Sequence, residues 1–312
     1  MVANSKEGVK SENHLMLPDR SQYARFFQIA GLTIRVQSDL PITTDTFAPK
    51  LKKFMVAGPG SDPLSIQHHF YIPELKIPEL GREFYRKAPW AIYCNEESWT
   101  YLGISSHPGD QKINQIGVFN LQQTKGEIYN LNEEAFRRGN VDSLTLFPTD
   151  QLWLARLLAD WQACYLHAAG MIIDGQGFLF VGHSEAGKST IVTLLQEHGE
   201  ILCDERIIVR RWAEGFRMHG TWSHGDVPAV SPASAGLRAI LFLEQAPHNR
   251  LIRIEDRWEI IRRVPFFVVR PLITAKWWEK TLDLVGMIAR EVPVYRLQFD
   301  RSGEVLKILR EL

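Results

Sequence analysis

The string Gly182-His183-Ser184-Glu185-Ala186-Gly187-Lys188-Ser189 constrains this chain more than any other segment. It fits the pattern G-x-x-x-x-G-K-[ST] and stands between an apolar run, FLFV, and an amphipathic run, KSTIVTLLQEHG. The glycines let the backbone turn tightly enough for N–H groups to converge, and the helix that follows offers its N-terminal end to an anion. A buried strand, a tight loop and a helix are needed in that order, so the surrounding fold is expected to be α/β. Average residue usage yields such a string by chance in about one chain in 100 of this length, before its context is counted. Chemically the loop reads as a phosphate cradle: Gly182 to Ser189, with Thr190 beside them, surround the phosphates, Lys188 reaches the β and γ groups, and the Ser189 hydroxyl is suited to Mg²⁺. The bland alternative is a glycine-rich turn that binds nothing; the flanking strand and helix argue against it.

The chain has 312 residues, about twice the usual domain length, so two units are expected. Residues 1–22 are polar and aperiodic and read as a flexible tail. Residues 23–148 carry short β-branched and aromatic runs (FFQIAGLTIRVQS, QHHFYI, WAIYC, WTYLGIS, QIGVFNL, EIYNL) separated by Pro and Gly, which predicts a meander of antiparallel strands. Near Thr149, a plausible N-cap, the period becomes helical through Leu154, Leu157, Leu158 and Trp161, and a mixed α/β unit is expected over 149–312. Lys plus Arg equals Asp plus Glu at 36 each, so there is no broad basic field for nucleic acid. Cys94, Cys164 and Cys203 are scattered singly, and neither a signal-type apolar segment nor a charge-free run of membrane length is visible. A cytoplasmic protein without a membrane partner is expected; assembly into a homo-oligomer stays open.

Phosphoryl transfer also needs a carboxylate to hold the metal, usually at the end of a neighbouring strand. Asp204 and Glu205, inside ILCDERIIVRRW, are the candidates, read as an acidic pair fixed within one strand; the alternative is a solvated edge or turn pair. A hairpin from Tyr165 to Val181 would return His167 to the phosphate loop, as a metal ligand or proton carrier; the alternative is a hydrogen-bonded core histidine. The segment MHGTWSHGDVPAVSPASAG, Met218 to Gly236, reads as a long loop near the site, with His219, Trp222, His224 and Asp226 in surface or substrate-contact roles rather than as a metal set.

Residues 166–211, LHAAGMIIDGQGFLFVGHSEAGKSTIVTLLQEHGEILCDERIIVRR, resemble the core of the HPr kinase/phosphorylase and phosphoenolpyruvate carboxykinase superfamily, with its LH strand, its strand leading into the P-loop and its acidic pair on the next strand. The resemblance implies a P-loop kinase domain of the carboxykinase-like type, with mixed sheets and flanking helices, behind a β-rich N-terminal domain. It implies that Lys188 and Ser189 bind nucleotide phosphates and metal, that Ser189 and Asp204 hold Mg²⁺, and that His167, Lys188, Asp204 and Glu205 carry the chemistry. The family has consecutive aspartates where this chain reads Cys203-Asp204-Glu205, so either Glu205 replaces the second or the pair aligns one position earlier. The downstream stretch by which HPr kinases engage HPr has no counterpart, and the chain is much shorter than a carboxykinase. The expected activity is therefore transfer of the γ-phosphoryl group of Mg-ATP to a hydroxyl, on a peptide or protein serine or on a small molecule. The alternatives are a non-catalytic nucleotide sensor and a carboxykinase-like enzyme.

Overall fold

The computed structural model describes residues 20–60, 63–105, 112–145, 149–271 and 274–312. Of the tail expected over 1–22, positions 1–19 lie outside these, and Arg20–Tyr23 forms a 3₁₀ turn. The chain is α/β, built on two mixed sheets with few helices.

The first sheet holds β1 (Ala24–Ile29), β2 (Leu32–Ser38), β3 (Met55–Val56), β4 (Pro63–His69), β5 (Arg82–Lys87), β6 (Trp90–Cys94), β7 (Ser98–Ile104), β8 (Ile113–Asn120) and β9 (Lys125–Asn130), in the order β3-β1-β2-β4-β9-β8-β7-β6-β5. Strands β5 to β9 form the expected antiparallel meander, but β4 runs parallel to both β2 and β9. An all-antiparallel reading is thus corrected. The chain crosses over through α1 (Pro49–Lys52) and β3 before β4, and such a crossover delivers a parallel neighbour. After β9 comes the short helix α2 (Glu134–Arg138). The hairpin β1–β2 turns on Ala30 and Gly31, at φ 50° and 79°, a turn that suits glycine at its second position. A Cβ on Gly31 would stand 2.6 Å from the Trp212 ring, so the turn is pressed onto the second half of the chain.

Helix α3 (Thr149–Leu158) leads into the second half; the capping role expected of Thr149 lies outside the described side chains. The second sheet holds β10 (Ala163–Ile173), β11 (Gln176–Val181), β12 (Glu200–Cys203), β13 (Arg206–Trp212), β14 (Gly215–His219), β15 (Ser234–Gln245), β16 (Arg250–Arg253) and β17 (Val294–Phe299). Its helices are α4 (Lys188–Leu195), α5 (Arg257–Arg263), α6 (Ala275–Glu291) and α7 (Val305–Arg310). Strand β10 pairs with β13 through Ala163–His167 and with β11 from Ala168 onward. Strand β15 pairs with β14 at its start and with β11 and β17, in parallel, thereafter. The pairings β11-β10-β13-β14-β15 close back on β11 as a ring.

Alternation along the strands sorts side chains into two cores, as a two-residue period demands. Leu166, Ala168, Leu179 and Val181 face one cluster, with α6 and the first sheet; Ala169, Met171, Phe178 and Phe180 face the other, with α4 and α7. The first cluster is continuous from Phe27 and Phe119 through Trp153 and Leu157 to Ile208 and Trp277. Trp153 donates Nε1–H to the Gln123 carbonyl at 2.7 Å, and Trp277 donates to the Ala155 carbonyl at 3.0 Å, so α3 is tied on both sides. Among the described residues no helix is long and apolar enough to cross a membrane.

One surface network in the first sheet gives a pH-dependent contribution to stability. The His69 ring is bonded at Nδ1 to Asp39 Oδ2 and at Nε2 to Glu127 Oε2, both at 2.8 Å, across three strand ends. Partial burial alone would lower its pKa, but the hydrogen bonds and charges of Glu127 and Asp39 prevail and raise it above 6.5. A raised histidine stabilises the fold fully below its unfolded value and loses that contribution as pH rises through its folded value. Both carboxylates are about half exposed, so the contribution is about 1 kcal/mol or less. Relative to His69→Gln, the urea midpoint of the wild type is expected to fall as pH rises above 6.5. Equal pH slopes in both proteins would exclude the assignment.

Candidate functional site

Strand β11 runs parallel beside β15, and the loop from Gly182 to Gly187 emerges from its C-terminal end, where open α/β sheets place ligands. Positive φ at Glu185 (67°) and Gly187 (97°) curls the loop before α4 begins at Lys188. At Gly187 a Cβ would also meet the Phe299 ring at 2.7 Å, so a larger residue is excluded on two counts. Loop and helix line an open cleft of about 340 Å³ together with His167, Asp204, Glu205, Gly225, Asp226 and Gln245.

Lys188 is buried, and its ammonium donates to the carbonyls of Gly182 (2.8 Å) and His183 (3.0 Å). Among the described residues no carboxylate lies within ion-pair distance of it. Burial lowers its pKa, and the more distant charges of Asp204 and Glu205 oppose that shift only in part. A desolvated cation without a counter-ion, at the start of a helix whose first N–H groups have no intrahelical acceptor, is completed by an anion.

Asp204 is 2 % exposed and accepts three hydrogen bonds, from Ser189 Oγ (2.9 Å), Gly225 N (2.6 Å) and Val227 N (2.9 Å). Ser189 Oγ also lies 3.4 Å from Asp226 Oδ2, so one hydroxyl stands between two carboxylates. Among the described residues no group of three or more His, Cys, Asp or Glu is arranged as a metal cage. That does not conflict with Mg²⁺, which is commonly held by one or two carboxylates, a hydroxyl and substrate phosphates. Ser189, Asp204 and Asp226 fit such a donor set: two converging acids at one hydroxyl repel each other until a cation joins them.

Asp204 and Glu205 do not sit within a continuous strand, and the expectation of one strand over ILCDERIIVRRW is corrected. Strand β12 ends at Cys203 and β13 starts at Arg206. The register is unbroken across the gap, Gly170 facing Cys203 and His167 facing Arg206, so the acids occupy a two-residue interruption opposite Ala168 and Ala169. The ladder is released there while the Glu205 carbonyl still accepts from Ala168 N at 3.0 Å. Among the described residues the one ion-pair partner of the Glu205 carboxylate is Arg206, at 3.5 Å.

His167 does come beside the loop. Ala168 pairs with Val181, so the residue before it stands level with Gly182, and it lines the cleft half-buried. Burial, and then the Lys188 charge, lower its pKa, so the ring is neutral near neutral pH. The His183 ring packs on Phe267 with centroids 4.9 Å apart.

The expected loop Met218–Gly236 is shorter, because β14 and β15 absorb its ends, and it is pinned rather than free. Trp222 is buried and donates to Asp150 Oδ2 (3.2 Å), Ser231 N donates to the Leu202 carbonyl (2.9 Å), and Gly225 and Val227 hold Asp204. His219, His224 and Asp226 are not gathered: His219 is buried beside Trp212, His224 bonds the Gly225 carbonyl, and only Asp226 reaches the cleft. The sequence reading missed Gln245, whose Nε2 donates to the Glu185 carbonyl at 2.7 Å; its position at the end of β15 was the available signal.

No family model matches the chain, and no curated protein matches it. Among solved structures, the HPr(Ser) kinase/phosphatase from Coxiella burnetii is similar at 13 % identity, over 47 % of this chain and 90 % of that one, with a TM-score of 0.29. A likeness of that size decides neither the activity nor the site, which rest on the geometry above.

Proposed function

We propose that this chain is an ATP-dependent phosphotransferase of the P-loop type, with the carboxykinase-like arrangement and HPr-kinase-like chemistry that residues 166–211 resemble. The carrying observation is the buried Lys188 ammonium, bonded among the described residues to loop carbonyls alone and lining a cleft that also holds Ser189, Asp204 and Asp226. Lys188 and the loop N–H groups would bind the phosphates, and Ser189, Asp204 and Asp226 would hold Mg²⁺. When bound, Mg²⁺ neutralises charge on the transferring group. The acceptor hydroxyl gives its proton to a carboxylate as its oxygen bonds the γ-phosphorus and the bond to the ADP oxygen breaks.

Division of labour between the acids follows from their partners. Three donors hold Asp204 in place and leave one lone pair, on Oδ1, for a cation, which suits a metal-side and loop-holding role. Among the described residues Glu205 is engaged by Arg206 alone, at 3.5 Å, which suits it to take a proton. His167, neutral and beside Lys188, suits a hydrogen bond to a phosphate or acceptor oxygen. The acceptor is a hydroxyl compound, a serine-bearing peptide or a small molecule.

The test is Mg-ATP binding by calorimetry beside Mg-ATP consumption with free serine, serine peptides and small polyols. Glu205→Gln is expected to lose about 10² to 10⁴-fold in rate with binding retained, and Asp204→Asn to lose Mg²⁺ dependence and rate together. Near-normal rates in both folded variants would remove this mechanism. Binding without turnover in the wild type would favour a nucleotide sensor.

A further inference from the structure

A second cavity, of about 770 Å³, lies away from the phosphate cleft, where the β1–β2 turn and the α1–β3 segment meet β14 and the end of the pinned loop. His219 lines it and is 6 % exposed. Trp212 donates its indole N–H to His219 Nε2 at 3.2 Å. An indole N–H can only donate, so Nε2 accepts and the neutral ring carries its proton on Nδ1. Burial first, then Arg217 and Arg210, push the His219 pKa down to about 4, which keeps the ring neutral. Among the described residues Nδ1–H has no acceptor, and the ring that carries it, itself almost wholly buried, forms part of the cavity wall.

The charged groups around this donor are of both signs. Lys53 donates to the Val230 carbonyl, Arg217 to Ser234, and Glu200 is bonded to Ser231, while Glu214 lies at the rim. Among the described residues none of the four is within ion-pair distance of an opposite charge. Two cations and two anions line one cavity without pairing with each other, three of them bonded to neutral groups, and such a lining matches a ligand carrying both charges. Trp212, backed by the Arg210 guanidinium at 4.0 Å, and Phe54 supply an apolar wall.

We propose that this cavity is a second ligand site, for a zwitterionic short peptide bearing an aromatic or apolar side chain. The peptide carboxylate meets His219 Nδ1–H and Arg217, its ammonium meets Glu200 and Glu214, and its side chain rests on Trp212. A volume of about 770 Å³ suits a di- or tripeptide better than a single amino acid. Glu200 stands about 13 Å along β12 from Asp204, so the site does not present a hydroxyl to the phosphate loop. The two sites are nevertheless joined, because the loop that places Ser231 at this cavity also holds Asp204 through Gly225 and Val227.

The experiment titrates the full chain with the tripeptide Gly-Phe-Gly, with free phenylalanine, and with the tripeptide N-acetylated and C-amidated, followed by calorimetry and tryptophan fluorescence. Saturable 1:1 binding of the free tripeptide is expected, weaker for phenylalanine and lost on capping. Arg217→Gln and Glu200→Gln are each expected to weaken it about tenfold or more, and Lys188→Ala to leave it unchanged. His219→Phe should abolish it, and the two surface variants keep the test intact if that protein fails to fold. No saturation at about 10 mM, equal binding of the capped peptide, wild-type affinity in both surface variants, or loss in Lys188→Ala would each overturn the proposal.

Discussion

Lys188→Ala and Lys188→Met are expected to lose roughly 100-fold or more in Mg-ATP affinity and to have no measurable transfer activity. A charged donor to phosphate contributes about 1.5 to 3 kcal/mol per bond in a desolvated site, and this ammonium is the nearest cation to the cradle. The effect on stability runs the other way. Its lowered pKa means that the fold disfavours the charged form, so removing the charge relieves a cost rather than breaking an ion pair. The methionine variant, which keeps the volume, is expected to melt at or above the wild-type temperature. Calorimetric titration beside thermal melts checks both halves. Wild-type affinity in a folded variant would remove the phosphate-cradle assignment.

The second large effect is expected at Asp150, which appears nowhere in the chemistry. Its carboxylate accepts from Leu144 N (3.1 Å), Gln151 N (2.8 Å) and Trp222 Nε1 (3.2 Å), so it ties the end of the first half to α3 and to the loop that holds Asp204. Burial raises its pKa, and the hydrogen bonds oppose that shift. Asp150→Ala orphans several donors in the interior at once and is expected to cost roughly 3 kcal/mol or more, with Asp150→Asn recovering a large part. Nucleotide affinity should fall as well, because Trp222 and Val227 belong to one pinned segment. Urea denaturation with unchanged slope measures the first effect. A loss below about 1 kcal/mol would show that the three donors find other partners.

The parts of the site that could be read from sequence are those fixed by neighbours in the chain. The strand, loop and helix around Gly182 to Thr190 follow from a local pattern, and His167 follows from a hairpin whose register needs only the turn at Asp174-Gly175. The break at Asp204 and Glu205 was not readable, because it shows only in the long-range pairing of β12 and β13 with one edge of β10, which leaves the two acids opposite Ala168 and Ala169. Asp226 and Gln245 reach the cleft only through long-range pairings, one by a loop fastened to Asp204 and the other by the parallel contact of β15 with β11. In the first half, the runs rich in Val, Ile and aromatics marked β6 to β9 well. Strand β5, REFYRK, is exposed along its whole length, so no buried face imposed an alternation that could betray it. The shared core was likewise invisible, since nothing in the pattern of Trp153 or Phe119 says which sheet each will meet.

The ring of strands around β10 and β15 restricts how the length of this chain can vary. One residue added to or removed from β10, β11, β13, β14 or the first part of β15 would turn every later side chain of that strand to the opposite face. It would also carry the interruption at Asp204 and Glu205 out of step with His167 and the loop after Val181. No free edge within the ring can take up such a slip by fraying. Insertions and deletions among descendants of this sequence should therefore gather in the outer strands of the nine-stranded sheet, β5 and β6 above all. There a hairpin can lengthen without moving any group in the cleft.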